Sequence, residues 1–237
     1  MQATDAATRH FGGFSRESLE LLRLLEANNN RPWFAAHQQL FKELLVEPAI
    51  DLVGAIGPLL RARLGPDLRA EPRIGGSILR IQYDARYLRE RPYRTHLELW
   101  FWEGPGPSHQ HPGFVVRIGP DRLVVGAGIT LFPPDQLLRY REHVDRPESG
   151  RELVALLHRL GITGFQPEGS ALRRTPRPYP ADHQRAGLLK RVGLRLERAE
   201  TLPHAVPEAV LGPVLPELLV SAFVRLDPLR RWLRRLE

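Results

Sequence analysis

Ser77-Ile78-Leu79-Arg80-Ile81-Gln82-Tyr83-Asp84-Ala85-Arg86-Tyr87 is the stretch in which the chain stops reading as helix and starts reading as sheet. Leu79, Ile81, Tyr83 and Ala85 alternate with Arg80, Gln82, Asp84 and Arg86, a period of two that puts one set on each face of an extended strand. The division returns at 95–102, where Leu97, Leu99 and Phe101 alternate with His96, Glu98, Trp100 and Trp102. Strands are therefore expected at 77–87, 95–102, 113–118 and 122–129. Gly119-Pro120-Asp121 supplies turn chemistry between the last two. Short connections of this kind favour an antiparallel meander, because parallel neighbours need a long crossover.

The flanks read as helix. Upstream, Ser15 can N-cap a helix in which Leu19, Leu22 and Leu25 recur at helical spacing until Asn28-Asn29-Asn30 stops it. Pro32 suits the first turn of a second helix, and Pro48 kinks it or starts a third that runs to Leu64. Residues 65–76 read as a loop. Downstream, helices are expected after Pro133-Pro134 and over 148–160, with Gly161 as the stop. Residues 170–180 read as extended and Pro-rich, a further strand is expected at 192–199, and 207–237 read as helix in broken pieces. Glycines at 126 and 128 inside a strand pattern mark a bulge or a close backbone approach. The fold expected is α+β, a mainly antiparallel sheet packed by N-terminal and C-terminal helices. Residues 14–237 read as a single domain, after a flexible stretch at 1–13.

Composition narrows the chemistry. With 42% hydrophobic and 26% charged residues over 237 positions, the chain is that of an ordinary globular protein. It has no cysteine, which excludes disulfides, zinc–thiolate sites, iron–sulfur clusters and cysteine nucleophiles. No run approaches the roughly 20 apolar residues needed to cross a bilayer, and residues 1–13 lack the pattern of a secretory signal. A cytoplasmic location without membrane association is expected. The formal charge of +7 points to anionic partners, yet only Lys42 and Lys190 are lysines, and an arginine surplus of this kind is what a GC-rich genome produces unaided.

Three constellations can carry chemistry. In the first, Arg80, Gln82, Asp84 and Arg86 share a strand face, and Arg89-Glu90-Arg91-Pro92-Tyr93-Arg94-Thr95 forms a loop dense in oxyanion-binding groups. A guanidinium grips a carboxylate or phosphate through two parallel bonds. Together with His96 and Glu98 between the indoles of Trp100 and Trp102, this resembles a ligand floor; the competing reading is a solvated face with structural ion pairs. In the second, the Asn-rich corner before Trp33-Phe34 satisfies helix ends, or the helix start receives an anion with His37 as proton carrier. The third, His109-Gln110-His111, lacks the carboxylate spacing of a metal site, so no metal and no cofactor are expected. Asp182-His183 is read as an N-cap. The basic amphipathic stretch 228–237 is read as docking on its own core rather than on a membrane. Walker, GxGxxG-helix and GxSxG patterns are all missing.

Phe14-Ser15, the leucines from 19 to 25, Asn28-Asn29 and Trp33-Phe34 make one recognisable series. Ser77, Arg80-Ile81, Asp84-Ala85-Arg86-Tyr87 and Pro92-Tyr93-Arg94-Thr95 make a second. With Pro112-Gly113-Phe114, Gly126-Ala127-Gly128 and Leu172-Arg173-Arg174-Thr175-Pro176, they resemble the bacterial domain-of-unknown-function family 2461. The chain departs from that pattern in having Tyr83 in place of an arginine and Leu88 in place of a serine. The resemblance implies a fold neighbourhood and no particular reaction.

The function expected is a pocket for a small phosphorylated or carboxylated ligand. Arg80, Arg86, Arg91 and Arg94 would be the oxyanion grips, Tyr93 a hydrogen-bond partner and Asp84 the orienter or general base. The alternative is a non-enzymatic protein that binds nucleic acid or an acidic partner through its arginines.

Overall fold

The computed structural model describes residues 10–83, 91–106, 108–202 and 211–237. The expected α+β architecture is present as an antiparallel sheet with helices supplied by both ends of the chain. Among the described residues the sheet has six strands in the order β1 (Leu68–Arg69), β2 (Leu97–Glu103), β3 (Gly113–Ile118), β4 (Arg122–Ile129), β6 (Leu194–Thr201), β5 (Gln166–Glu168). The chain divides into two compact units, one of Met1–Phe101, Val116–Val124 and Ala199–Ser221, the other of Trp102–Val115, Val125–Arg198 and Ala222–Glu237.

In the first unit, α1 (Arg16–Ala27) begins as expected. The Ser15 side chain accepts from the Ser18 backbone while Ser18 reaches back to the Ser15 amide, so two helix-start donors are satisfied reciprocally. Leu21, Leu22 and Leu25 are buried. Asn30 caps α2 (Arg31–Phe41) by accepting from Trp33 N–H. The run to Leu64 is neither simply kinked nor restarted at Pro48. A π turn at Lys42–Val46 joins α2 to α3 (Glu47–Leu64), and the Glu47 amide bonds the Lys42 carbonyl five residues back. Pro48 has no N–H for the Leu44 carbonyl, and the buried Ser18 hydroxyl donates to it instead at 2.7 Å. The Phe11 ring is buried and meets Phe14 edge-on.

The expected loop 65–76 contains β1. The described part of the expected strand 77–87 is not a regular strand; 84–87 lie outside the described residues. Leu79 N–H donates to Glu98 O and Trp100 N–H to Ser77 O, giving a bridge between Ile78 and Leu99. Tyr83 N–H donates to Pro92 O and Arg94 N–H to Ile81 O, giving a second bridge between Gln82 and Tyr93. The bridges lie four residues apart on one side and six on the other. The surplus is taken up at the bend of Thr95 and His96, which breaks the ladder as a bulge does. β3 and β4 match the expected limits, and Gly119 N–H donates to Arg122 O across their turn.

In the second unit, α4 (Pro134–Asp145) and α5 (Pro147–Ile162) stand where expected, but α5 runs through Gly161 and ends at Thr163. β5 was not anticipated; three residues are too few to display a period. α6 (Ala186–Leu189) is capped at Arg185 rather than Asp182. Of the broken helical pieces expected over 207–237, residues 207–210 lie outside the described residues, Leu211 is helical, and after a break at 212–214 the rest is one helix, α7 (Leu215–Arg234), which continues through Pro228. Burial of Phe223, Leu226, Leu229, Trp232 and Leu233 along one face outweighs the lost hydrogen bond. Phe114 stacks on Phe223 and Tyr140 on Phe132, forming this unit's aromatic core. The close approach expected at 126–128 is real. Gly128 sits at φ 144°, and a Cβ there would lie 2.1 Å from the Leu194 carbonyl. Among the described residues no helix is long and apolar enough to cross a membrane.

Candidate functional site

The charged groups that converge in the first unit are Arg94, His96, Glu98 and Arg117. Glu98 is on β2 with its side chain only 11% exposed; Arg94 Nε and His96 Nε2 each stand 3.6 Å from its Oε2. These are ion-pair distances rather than full hydrogen bonds. Burial pushes the carboxyl upward, but His96 beside it and the charges of Arg94 and Arg117 outweigh burial, so Glu98 is held below the usual carboxylate range. One carboxylate is thus shared by three basic side chains.

A cleft of about 320 Å³ opens at this cluster, lined by Glu26, Thr95, His96, Arg117, Asp121 and Arg122 with part of the β3–β4 turn. Tertiary bonds hold that turn. Arg23 of α1 donates to Pro120 O at 3.2 Å, and Leu202 N–H donates to Asp121 O at 2.8 Å. Arg122 Nε pairs with Asp121 Oδ1 at 3.1 Å, both half exposed. A histidine beside a carboxylate, in a cleft that also carries guanidiniums, can hold an anion and can pass a proton.

A second concavity, of about 620 Å³, lies between the α2–π-turn face and residues 74–82. Phe34, Phe41, Val46, Ile78 and Leu79 give it a mainly apolar wall, and His96 belongs to its lining as well as to that of the cleft.

The residues expected at the site are dispersed. Tyr93 is 4% exposed, its ring stacked on Phe34 at 4.2 Å. Arg94 donates to Arg80 O at 2.6 Å and lies over the Tyr83 ring, so it braces the edge segment while it faces Glu98. Arg80 is exposed and lines the apolar concavity; Arg91 is exposed. His37 stacks on Trp33 at 4.0 Å and donates from Nδ1 to the Trp33 carbonyl, outside both linings. Asp84 and Arg86 lie outside the described residues. Trp100 and Trp102 are buried, at 3% and 2%, and flank no open surface.

Arg117 and Arg122 were missed. Arg117 was visible as the one charged residue in Gly113–Ile118, whereas Glu26 gave no local signal. Of the His-rich motifs, His111 and His183 are held internally, and the His109 side chain lies outside what is described. Both His111 ring nitrogens face oxygens, of Glu237 at 2.8 Å and Pro105 at 2.6 Å. His183 accepts from Arg185 N–H and pairs with Asp145 at 3.2 Å.

The two motif series of the sequence meet at Tyr93, whose ring stacks on Phe34 and whose backbone is held by Asn29. Asn29 accepts from Tyr93 N–H at 3.0 Å and donates to Tyr93 O at 2.8 Å, mimicking a strand neighbour. The pattern of the conserved hypothetical protein family DUF2461 matches residues 17–232, a span that contains the second series and all of the first but Phe14-Ser15. The chain belongs to this family. None of the curated proteins matches it. In this DUF2461 chain the Asn-Asn corner therefore does more than close two helices: Asn28 donates back to Leu24 O, Asn30 caps α2, and Asn29 anchors the residue before Arg94.

Proposed function

We propose that this DUF2461 chain binds a small anionic ligand, through a carboxylate or phosphate group, in the cleft of His96, Arg117 and Arg122. The observation that carries the reading is the basic cluster at the cleft, where His96 and Arg117 of its lining, with Arg94, gather around the buried carboxylate of Glu98. A guanidinium grips an oxyanion through two parallel charge-assisted bonds, and Arg117 and Arg122 both line the cleft. Tyr93 and Arg94 serve as supports, Tyr93 through its clamp to Asn29 and Arg94 through its bond to Arg80.

Titration calorimetry with inorganic phosphate and with citrate tests this. Charge-assisted bonds contribute about 1.5–3 kcal/mol each, so Arg117→Gln should weaken binding about tenfold or more while the protein still melts cooperatively. Equal affinity in wild type and Arg117→Gln would remove the cleft from consideration.

A further inference from the structure

We infer that the ligand is amphipathic, with its anionic head in the Arg117 cleft and an apolar chain along the concavity beside it. This rests on the anion-binding reading above and adds the class of molecule. Two observations carry it. His96 lines both hollows, so a molecule held at the cleft by His96 is already at the edge of the apolar wall. Among the described residues, every charged side chain in that second lining is basic, namely Lys42 and Arg80 with His96 beside them, and no carboxylate stands among them. Lys42 is only loosely engaged, 3.8 Å from Glu47.

The hollow has the size and character of a small-molecule site. Its volume of about 620 Å³ lies within the range of roughly 300–1,000 Å³ usual for such pockets. Ile74 at its margin is 48% exposed, an apolar surface that an alkyl chain would cover. The basic rim repels a cation and leaves the apolar wall to the tail of an anion.

The experiment measures the affinity of the full chain for straight-chain carboxylates from acetate to decanoate, each below its micelle concentration. The inference expects affinity to rise about three- to fourfold per added CH₂ until the hollow is full. It also expects the slope to flatten in Ala35→Trp, which adds an indole to the hollow's wall, with the fold checked by melting. If acetate and phosphate bind in an Arg117-dependent way but affinity is flat along the series, the amphipathic assignment fails and the anion-binding reading stands. If neither phosphate nor citrate nor any member of the series binds, both fail. A slope that survives in Ala35→Trp places the chain elsewhere and overturns the inference.

Discussion

The Arg230 cluster of the second unit and the Glu98 cluster of the first are made of the same groups, but one is closed and the other opens on a cleft. Arg230, with 4% of its side chain exposed, donates from Nε to Asp227 at 2.7 Å and bonds Glu103 as well. Arg231 approaches the same aspartate at 2.5 Å, and Arg234 spans Glu103 and Glu237. At Glu98 the contacts are 3.6 Å and the neighbours face open volume. Contact length and enclosure, not the number of arginines, separate the closed cluster from the one that opens on a cleft. The arginine surplus is thus a poor guide to partners, because much of it on α7 is already committed to carboxylates.

The largest expected effect tests the closed side. Arg230→Met leaves Asp227 and Glu103 without their shared partner, and breaking a buried pair costs about 3–5 kcal/mol. Denaturant unfolding that shows a loss under about 1 kcal/mol would erase the contrast. Next comes the scaffold of the open side. Asn29→Ala removes both bonds to the Tyr93 backbone and should cost about 1–3 kcal/mol. Asn29→Asp, which keeps the acceptor for Tyr93 N–H, should fall between it and wild type; equal costs for the two would assign the clamp to packing.

The smallest effect is a pH dependence. The folded value of Glu98 lies below its ordinary 4.5, so its pairs stabilise the protein fully above that pH. The contribution is lost as pH falls through the lowered folded value. The stability advantage of wild type over Glu98→Gln should therefore hold at neutral pH and shrink below about 4.5. An advantage that persists unchanged into strong acid would mean that the carboxylate is not ionised in its cluster.

Much of the fold was legible because caps and periods are local. Ser15 and Asn30 mark helix starts by chemistry within three residues, and the apolar runs of β3 and β4 end at a Gly-Pro-Asp turn. Illegible features depend on distant partners. The alternation at 77–83 is present in the sequence, but the unequal spacing against 93–99 that breaks it into bridges arises from the opposite segment. Pro228 reads as a breaker until the burial of Leu229 and Leu233 is known. The site was legible in part. His96 and Glu98 were visible on their strand, whereas Arg117 joins them from β3 and Glu26 from the end of α1. The contact between Asn29 and Tyr93 spans 64 residues, beyond any local pattern.

The π turn at Lys42–Val46 sets which side chains of the helical run face the hollow. Each residue of an α-helix advances the side-chain direction by about 100°. An uninterrupted helix from Arg31 to Leu64 would tie the orientation of Phe34 and Phe41 in the hollow to that of the buried Leu52, Val53 and Ile56. The wider turn resets the angular offset between the two halves, with the Ser18 hydroxyl securing the Leu44 carbonyl beside the joint. Removing the extra residue of that turn would rotate Phe34 and Phe41 by about 100° relative to the buried face of α3 and carry them out of the hollow's wall.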